Sequence, residues 1–449
     1  MDERTPSWGI SPVPERLQVL SALDSTLLWG NLSVSLLVIV IGALLVPALS
    51  LRDALLAILV GAVAGNVLLG LAAAIGADAR VPGMVLLRAP LGWRGSWLPT
   101  ALNVVQNVGW STFELIIIAT AAAAASDHIF GWSGKWLWTL VFGTLSWGLG
   151  MLGPIGFVRR YLRKFATYAL LGAMAYLTWW VLAKANLHRF WDAPGKGGFP
   201  TFGQGVDLVI GSVVSWTPLA ADYTRFASSR RSAGIGAAVG YFVPTLWVFA
   251  LGAFLVLARN LSDVQAIPTA VAAGGVVALV ALLAITVDES EKAFADIYST
   301  AVSLQNLLPR VSQRLLITLV ATAATAGALV LDLGSYESFL LLLGSFFVPL
   351  LGVVVADWAA RGGSYRRDDF FAAPELRAEA VGAWLGGFVL YQWLAPVGPS
   401  WWTRLVDYTH PAAVTFTASL PSFLAAFCLA AVASSILGVR DRAARQPVA

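Results

Sequence analysis

The sequence predicts an all-α polytopic membrane protein with twelve transmembrane helices, and three observations support this. Hydrophobic residues make up 58% of the 449 residues and charged residues only 12%, about half the charged share of a soluble domain. Apolar stretches of about 18 residues or more recur along the chain, and each is long enough to span a bilayer. With a cytoplasmic N-terminus, 21 of the 29 Lys and Arg residues fall on the inner side, as the positive-inside rule requires.

The twelve spans form one transmembrane domain, residues 27–437, between two predicted cytoplasmic tails, residues 1–26 and 438–449. The first tail is polar and proline-rich and lacks the charged-then-apolar order of a signal peptide. We therefore expect a multi-pass protein of the cell membrane. The predicted spans are 27–49, 53–76, 99–125, 135–157, 165–185, 206–224, 233–258, 275–306, 312–331, 336–358, 380–396 and 412–437.

Two of these spans carry helix-interrupting sequences. The first contains "WGNLSVS" at 29–35 and the sixth contains "GSVVSWTP" at 211–218. Irregular backbone survives inside a membrane only where it lines a cavity or is buried in protein. Because the two spans lie five apart, spans 1–5 and 6–10 form an inverted repeat, and interruptions at matching positions indicate a transporter's binding site. The alternative is that the glycines only permit close helix packing.

The third span presents polar and aromatic side chains on one helical face. Gln106, Trp110 and Phe113 lie within a narrow arc, with Glu114 on its flank. An amide, an indole and a carboxylate on one face suit a flat, polar ligand. The alternative for Trp110 is ordinary packing, whereas an ionisable residue such as Glu114 within a span is a functional candidate by default.

The eighth span contains the charged sequence "DESEK" at 288–292, followed by Asp296. Each charge at the bilayer centre costs roughly 2.5–3.5 kcal/mol on insertion scales, so the cluster requires an explanation. Asp288, Lys292 and Asp296 are spaced i,i+4 and share one helical face or its flank. Two interpretations are open: a neutralised cluster facing a cytoplasmic vestibule, or a group that couples transport to an ion.

Other function classes lack their sequence signals. There is no phosphate-binding loop of an ATP-driven pump, no His or Cys set with metal-ligand spacing, and no basic strip for nucleic acid. The polar residues cluster at one depth, whereas a channel requires a continuous polar stripe. An intramembrane enzyme would need a nucleophile with a base, and only the carboxylates are available. We therefore expect neither an enzyme nor a resident metal or cofactor.

Four stretches carry a resemblance to a known family: "LLWGNLSVSLLVIVIGALLVP" (27–47), "QNVGW" (106–110), "GSVVSWTPLAADYTRF" (211–226) and "FADIYSTAVSLQN" (294–306). In order and helix position they resemble the purine-cytosine permease branch of the nucleobase-cation symport family, over residues 15–440. The resemblance implies a five-plus-five inverted-repeat (LeuT-like) core with two further helices. It also implies import by alternating access of a nucleobase, cytosine above all, with hydroxymethylpyrimidine or an allantoin-like ring as alternatives. We expect the monomer to be functional.

The resemblance and the residues together predict two sets of site residues. The predicted substrate-binding residues are Asn31, Ser33, Ser35, Gln106, Trp110, Phe113, Gly211, Ser212, Ser215, Trp216 and Asp296. The predicted cation and coupling residues are Asn31, Val34, Glu114, Asp288, Ser290, Glu291 and Lys292.

The eighth span departs from the family pattern. Sodium-coupled relatives place small hydroxyl or amide side chains there, where this sequence has Glu291 and Lys292. The Lys292 ammonium is a candidate to replace sodium, with nearby carboxylates, including Glu114, carrying a proton instead. The sequence leaves both H⁺ and Na⁺ open as the coupling ion.

Overall fold

The computed structural model describes residues 9–157, 167–183, 185–261, 266–331, 336–409 and 416–436, without the side chains of 153–157, 167, 291, 336 and 337. The described chain is helical, with short connections. Its helices are α1 (Ala22–Leu32), α2 (Leu36–Leu44), α3 (Leu51–Ala79), α4 (Gly83–Leu86), α5 (Arg88–Leu91), α6 (Trp97–Phe130), α7 (Lys135–Phe157), α8 (Thr167–Leu182), α9 (Leu187–Asp192), α10 (Phe202–Val214), α11 (Thr217–Thr224), α12 (Arg230–Arg259), α13 (Ile267–Ala272), α14 (Val276–Leu307), α15 (Gln313–Val330), α16 (Tyr336–Ala360), α17 (Arg367–Phe371), α18 (Ala378–Leu394), α19 (Ser400–Thr409) and α20 (Ser419–Ile436).

Each predicted span coincides with one helix or with two consecutive helices. The first corresponds to α1 and α2 and the sixth to α10 and α11. By length and mean hydropathy, six described helices could each cross a membrane, and the α1–α2 pair makes a seventh. The number of twelve crossings stays a prediction.

The charged helix α14 lies in the interior of the helix bundle. It packs against α6, α7, α8 and α15. Asp288, Glu289, Lys292 and Asp296 are all buried, each with no more than 4% of its surface exposed. These four side chains therefore face protein instead of lipid, as ionisable residues within membrane spans usually do.

The first span is broken where the sequence predicts it. Helix α1 ends at Leu32, α2 begins at Leu36, and their axes differ by 60°. The Ser35 hydroxyl oxygen accepts a hydrogen bond from the Leu37 N–H at 3.0 Å, so Ser35 caps the new helix. A short polar side chain at the cap explains why the chain can restart as a helix inside the bundle.

The sixth span is broken at Ser215 and Trp216, between α10 and α11. Pro218 occupies the second position of α11, where a missing N–H leaves no hydrogen bond unmade. The two breaks are neighbours, because the rings of Trp29 on α1 and Trp216 meet edge to face with centroids 6.1 Å apart. The site is built around this junction.

Residues of the predicted N-terminal tail pack onto the bundle. The Val13 N–H donates to the Arg80 carbonyl at 2.9 Å, and the Leu20 N–H donates to the Phe226 carbonyl at 3.0 Å. Arg225 donates to the Gly9 carbonyl at 3.2 Å and to the Tyr298 hydroxyl at 3.0 Å. These bonds join the end of α11 to the N-terminal segment and to α14.

Candidate substrate and coupling site

A small cavity lies where the two helix breaks meet. Its wall combines hydroxyl, carboxyl and aromatic groups from the first span, α6, the sixth span, α12 and α14. The lining residues are Leu32, Ser35, Leu37, Val38, Trp110, Glu114, Ser212, Ser215, Trp216, Tyr241 and Asp296. Seven predicted site residues are among them: Ser35, Trp110, Glu114, Ser212, Ser215, Trp216 and Asp296.

The Trp216 ring is held in place by other aromatic side chains. Trp29, which is fully buried, meets it edge to face, and Tyr241 lies 6.4 Å from it between ring centroids. Trp29 and Tyr241 also contact each other, at 6.4 Å between centroids. Such edge-to-face contacts add to the burial of the rings, so the three aromatics fix one wall of the cavity.

The Trp110 ring is supported from α16. Phe339 meets Trp110 edge to face with centroids 5.8 Å apart, and Phe113 lies 5.3 Å from the same Phe339 ring. Phe113 is not among the residues that line the cavity. Phe113 instead packs against Phe339, the side chain that supports Trp110.

Gln106 lies outside the cavity and stabilises the break in the sixth span. Its amide nitrogen donates to the Ser215 carbonyl at 3.1 Å and to the Asn103 side-chain oxygen at 2.9 Å. Asn103 in turn donates to the Ser303 hydroxyl at 2.8 Å. A helix that stops leaves carbonyls without intrahelical donors, and Gln106 supplies one. Glu114, two turns further along α6, reaches the cavity instead.

Two of the three serine hydroxyls of the cavity, those of Ser35 and Ser215, are already engaged by protein groups. Ser35 donates to a carboxylate oxygen of Glu289 at 2.5 Å, and Ser215 donates to the Ser212 carbonyl at 2.7 Å. Asp296 is different, because its buried side chain has no hydrogen-bond or ion-pair partner among the described residues. Only its backbone carbonyl accepts a bond, from Thr300. The cavity therefore offers a ligand an unpaired carboxyl group.

Beside the cavity, α14 carries a buried ion pair that reaches the end of α1. The Lys292 ammonium lies 2.6 Å from a carboxylate oxygen of Asp288 and 3.9 Å from one of Glu289. The Asn31 amide donates to both oxygens of Asp288, at 3.2 and 3.3 Å. Asn31 thus belongs to this ion pair and not to the wall of the cavity.

Glu289 connects the ion pair, the first break and the cavity. One of its oxygens accepts hydrogen bonds from the Leu36 N–H at 2.9 Å and from Ser35. A carboxylate at a helix N-terminus is stabilised by the helix dipole. On its other side, the Glu289 carboxyl group adjoins that of Glu114. Glu289 was not among the predicted site residues, and its role follows from the contact between α14 and the start of α2.

The remaining predicted residues lie close to the site without lining the cavity. The Ser33 hydroxyl donates to the Gly30 carbonyl at 3.0 Å, and the Val34 N–H donates to the Asn31 carbonyl at 3.1 Å. The Gly211 carbonyl accepts from the Ser215 N–H at 2.9 Å, and the Ser290 carbonyl accepts from Ser146 at 3.1 Å. The side chain of Glu291 lies outside the described residues.

Trp29 and Tyr241 had no role in the sequence-based prediction. Both are buried aromatics in spans of many aromatics, and Tyr241 lies in the seventh span, which has no interruption in this region. The sequence signal for Tyr241 is the glycine before it. Gly240 lets α1 pack closely against α12, because an added Cβ would lie 2.6 Å from the Thr26 carbonyl oxygen.

Comparison with known proteins places this architecture in a family. Residues 12–376 match the family model described as permease for cytosine/purines, uracil, thiamine, allantoin. The cytosine permease of Escherichia coli strain K12 is 25% identical over 369 residues, which is 78% of this chain and 82% of that protein. The hydantoin permease of Microbacterium maritypicum is 26% identical over 296 residues, 61% of this chain and 59% of that protein.

Solved structures match along nearly the whole chain. Mhp1, a nucleobase-cation-symport-1 family transporter in a closed conformation with bromovinylhydantoin bound, has a TM-score of 0.78 at 18% identity over 98% of this chain and 96% of that chain. A Na⁺-coupled sialic acid symporter has a TM-score of 0.66 at 9% identity, over 97% of this chain and 92% of that chain. The predicted LeuT-like fold and the predicted family are both confirmed.

Proposed function

The chain belongs to the family of permeases for cytosine, purines, uracil, thiamine and allantoin, and on that premise we propose that it imports a nucleobase-like heterocycle together with a cation by alternating access. It is an integral membrane transporter and not an enzyme. The relatives whose names state a substrate carry cytosine or hydantoin, both small planar rings.

The observation that carries this proposal is the composition of the cavity at the two helix breaks. Trp110 and Trp216 offer aromatic faces for a planar ring, and each base-aromatic stack contributes about 1–3 kcal/mol in single-strand binders. Glu114 and Asp296 offer carboxyl groups to the polar edges of the ring. Broken helices around a central cavity are the arrangement on which alternating-access transporters bind their substrates.

We further propose that the coupling ion is a proton. The Lys292 ammonium pairs with Asp288 beside the first break, where it supplies a fixed positive charge in the place of a bound sodium ion. The described cluster holds four carboxyl groups, those of Glu114, Asp288, Glu289 and Asp296, and one ammonium. Unpaired buried charges are strongly unfavourable, so some of these carboxyl groups have to bind protons.

Uptake into proteoliposomes tests both parts of this proposal. We expect labelled cytosine to exchange in counterflow, uptake to persist when choline replaces sodium, and uptake to rise as the external pH falls from about 7.5 to 5.5, the range in which buried carboxyl groups bind protons. Strict sodium dependence with a flat pH profile would contradict proton coupling. A label that is chemically altered, or that crosses without exchange, would contradict a carrier.

We also propose the topology predicted from charge: residues 27–437 as the transmembrane domain of a monomer in the cell membrane, with residues 1–26 and 438–449 in the cytoplasm. Spans 1–5 and 6–10 form the two repeats. The single Cys428 is exposed, so a Cys428→Ser chain with Ala449→Cys provides a label. A membrane-impermeant thiol reagent should label it in inside-out vesicles and not in right-side-out vesicles.

A further inference from the structure

Asp296 has a buried hydrogen-bonding group, its carboxyl group, without a partner among the described residues. Its surface is only 4% exposed, it lines the cavity with Trp110 and Trp216, and no described residue donates a hydrogen bond to its carboxyl group. A buried polar group that remains unpaired costs about 1–3 kcal/mol. Such a group inside a cavity indicates that a ligand completes it.

Two other acids of the site have protein donors. Asp288 is held by Lys292 and Asn31, and Glu289 caps α2 through Leu36 and Ser35. Glu114 also lines the cavity, where its Oε2 has no hydrogen-bond partner among the described residues and its carboxyl group adjoins that of Glu289. Asp296 is therefore one of two cavity acids without a protein donor, and it is the one that is not held against Glu289.

The proposed function supplies the premise that the ligand is a planar heterocycle. On that premise we propose that protonated Asp296 recognises a ring whose amino group neighbours an unprotonated ring nitrogen, so that proton and substrate bind at the same carboxyl group.

The chemistry follows from the donors and acceptors of the two forms of a carboxyl group. A protonated carboxyl group has one O–H donor and one C=O acceptor. Its O–H donates to the ring nitrogen while its C=O accepts from the amino group, which gives two parallel hydrogen bonds. The ionised form has acceptors only. One of its oxygens would then face the lone pair of the ring nitrogen, and these two acceptors repel each other. Cytosine, adenine and 4-aminopyrimidines have the matching edge, whereas uracil has a carbonyl in place of the amino group.

The described neighbours of Asp296 give it no counter-charge of its own. The titratable groups that face it are Glu114 of α6, Tyr223 of α11 and Tyr241 of α12. On α14 itself, Lys292 lies one turn away and is paired with Asp288. Tyr223 donates its hydroxyl to the Ala295 carbonyl at 2.9 Å. An ionised Asp296 would thus be a second negative charge beside Glu114, and it would lack a counter-charge of its own.

Proton and substrate then cross the membrane together. In the outward-facing state a proton from outside binds Asp296, and the amino-substituted ring then pairs with the neutral carboxyl group. In the inward-facing state the ring leaves, and the proton dissociates from Asp296 to the cytoplasm. One proton accompanies each substrate molecule, and a pH gradient drives accumulation.

The test measures cytosine binding to the detergent-purified chain between about pH 5.5 and 8, and cytosine accumulation in proteoliposomes. In the wild type we expect affinity to fall by up to about tenfold per pH unit above the titration of the carboxyl group, as one linked proton requires. Asp296→Asn has a neutral amide with one donor and one acceptor side, like the protonated acid. This variant should bind cytosine with little pH dependence and exchange it in counterflow, but lose accumulation driven by a pH gradient.

A matched control is Asp127→Asn, which makes the same change at an exposed position outside the cavity. We expect this variant to bind and accumulate cytosine like the wild type. Accumulation by Asp296→Asn in response to a pH gradient would overturn the proposal, because the proton would then bind elsewhere. A wild type that binds uracil better than cytosine, or cytosine better at high pH, would overturn it without any variant. No transport of any heterocycle would instead overturn the proposed function.

Discussion

The breaks in the first and sixth spans differ in both geometry and partners. The axes of α1 and α2 differ by 60° and Ser35 is extended, whereas Ser215 and Trp216 keep helical dihedral angles. At the first break, a carboxylate of α14, Glu289, accepts from Ser35 and from the Leu36 N–H, and Asn31 binds the Asp288–Lys292 pair. At the sixth break, the neutral amide of Gln106 donates to the Ser215 carbonyl, and aromatic rings surround Trp216.

This difference in partners suggests that the two breaks have different roles at the cavity. The strength of a hydrogen bond from an amide to a carbonyl does not change with pH in the physiological range, because neither group titrates there. Such a bond also needs no ion. A carboxylate that caps a helix is strongest when it is ionised, so the first break responds to protons and counter-charges. We infer that the first span senses the coupling ion while the sixth span holds the ring, and Trp29, which touches Trp216, joins the two.

The largest effect is expected from Lys292→Met, which removes the ammonium at the first break. Asp288 then remains buried without its counter-charge, and breaking one side of a buried pair costs about 3–5 kcal/mol. We expect the thermal midpoint in detergent to fall and accumulation to be lost. In Lys292→Met/Asp288→Asn most of the stability should return, because no charge of the pair remains. A single variant as stable and active as the wild type would refute a role for the pair.

Glu289→Gln should weaken the start of α2. The charged hydrogen bonds to the Leu36 N–H and to Ser35 become neutral ones, and a bond to a charged group contributes about 1.5–3 kcal/mol. We expect faster hydrogen exchange of the α2 amides that begin at Leu36, with little change in α10 and α11. Glu375→Gln is the control, since its ion pair with Arg94 is exposed and contributes little. Equal exchange in both variants would contradict the cap.

Trp216→Ala should act on substrate affinity and not on the ion. A lost stack of about 1–3 kcal/mol corresponds to a roughly 5- to 150-fold weaker apparent affinity for cytosine. The pH dependence of uptake should keep its shape. Trp179→Ala is the control, because that ring is 63% exposed on the surface. Unchanged affinity in Trp216→Ala would place the ring elsewhere.

Gln106→Ala should have the smallest effect of the four. It removes a neutral hydrogen bond to the Ser215 carbonyl, and water from the cavity can replace the amide. We expect a loss of about 0.5–1.5 kcal/mol in unfolding free energy, equal at pH 5.5 and 7.5. A loss of unfolding free energy at only one of the two pH values would show that the sixth break also depends on a titrating group. The two breaks would then not differ in their response to protons.

The sequence alone determined those features that depend on neighbours along the chain. The breaks at 33–35 and 215–216 follow from Gly, Ser and Pro residues within apolar spans, and the face of α6 that bears Trp110 and Glu114 follows from helical periodicity. Span positions followed from apolar length. These properties are local, because backbone geometry and the membrane thickness constrain each helix separately.

The tertiary structure decided which groups meet. Gln106 points at the Ser215 carbonyl and not into the cavity, Glu289 caps α2 although it was not among the predicted site residues, and Tyr241 completes a wall from a span without a break. Within the described part of the chain, Asp296 is unpaired because the neighbouring helices direct their donors to other acceptors. These outcomes depend on the rotation and register of packed helices, which the chain's periodicity leaves free and which only the fit of side chains across their interfaces determines.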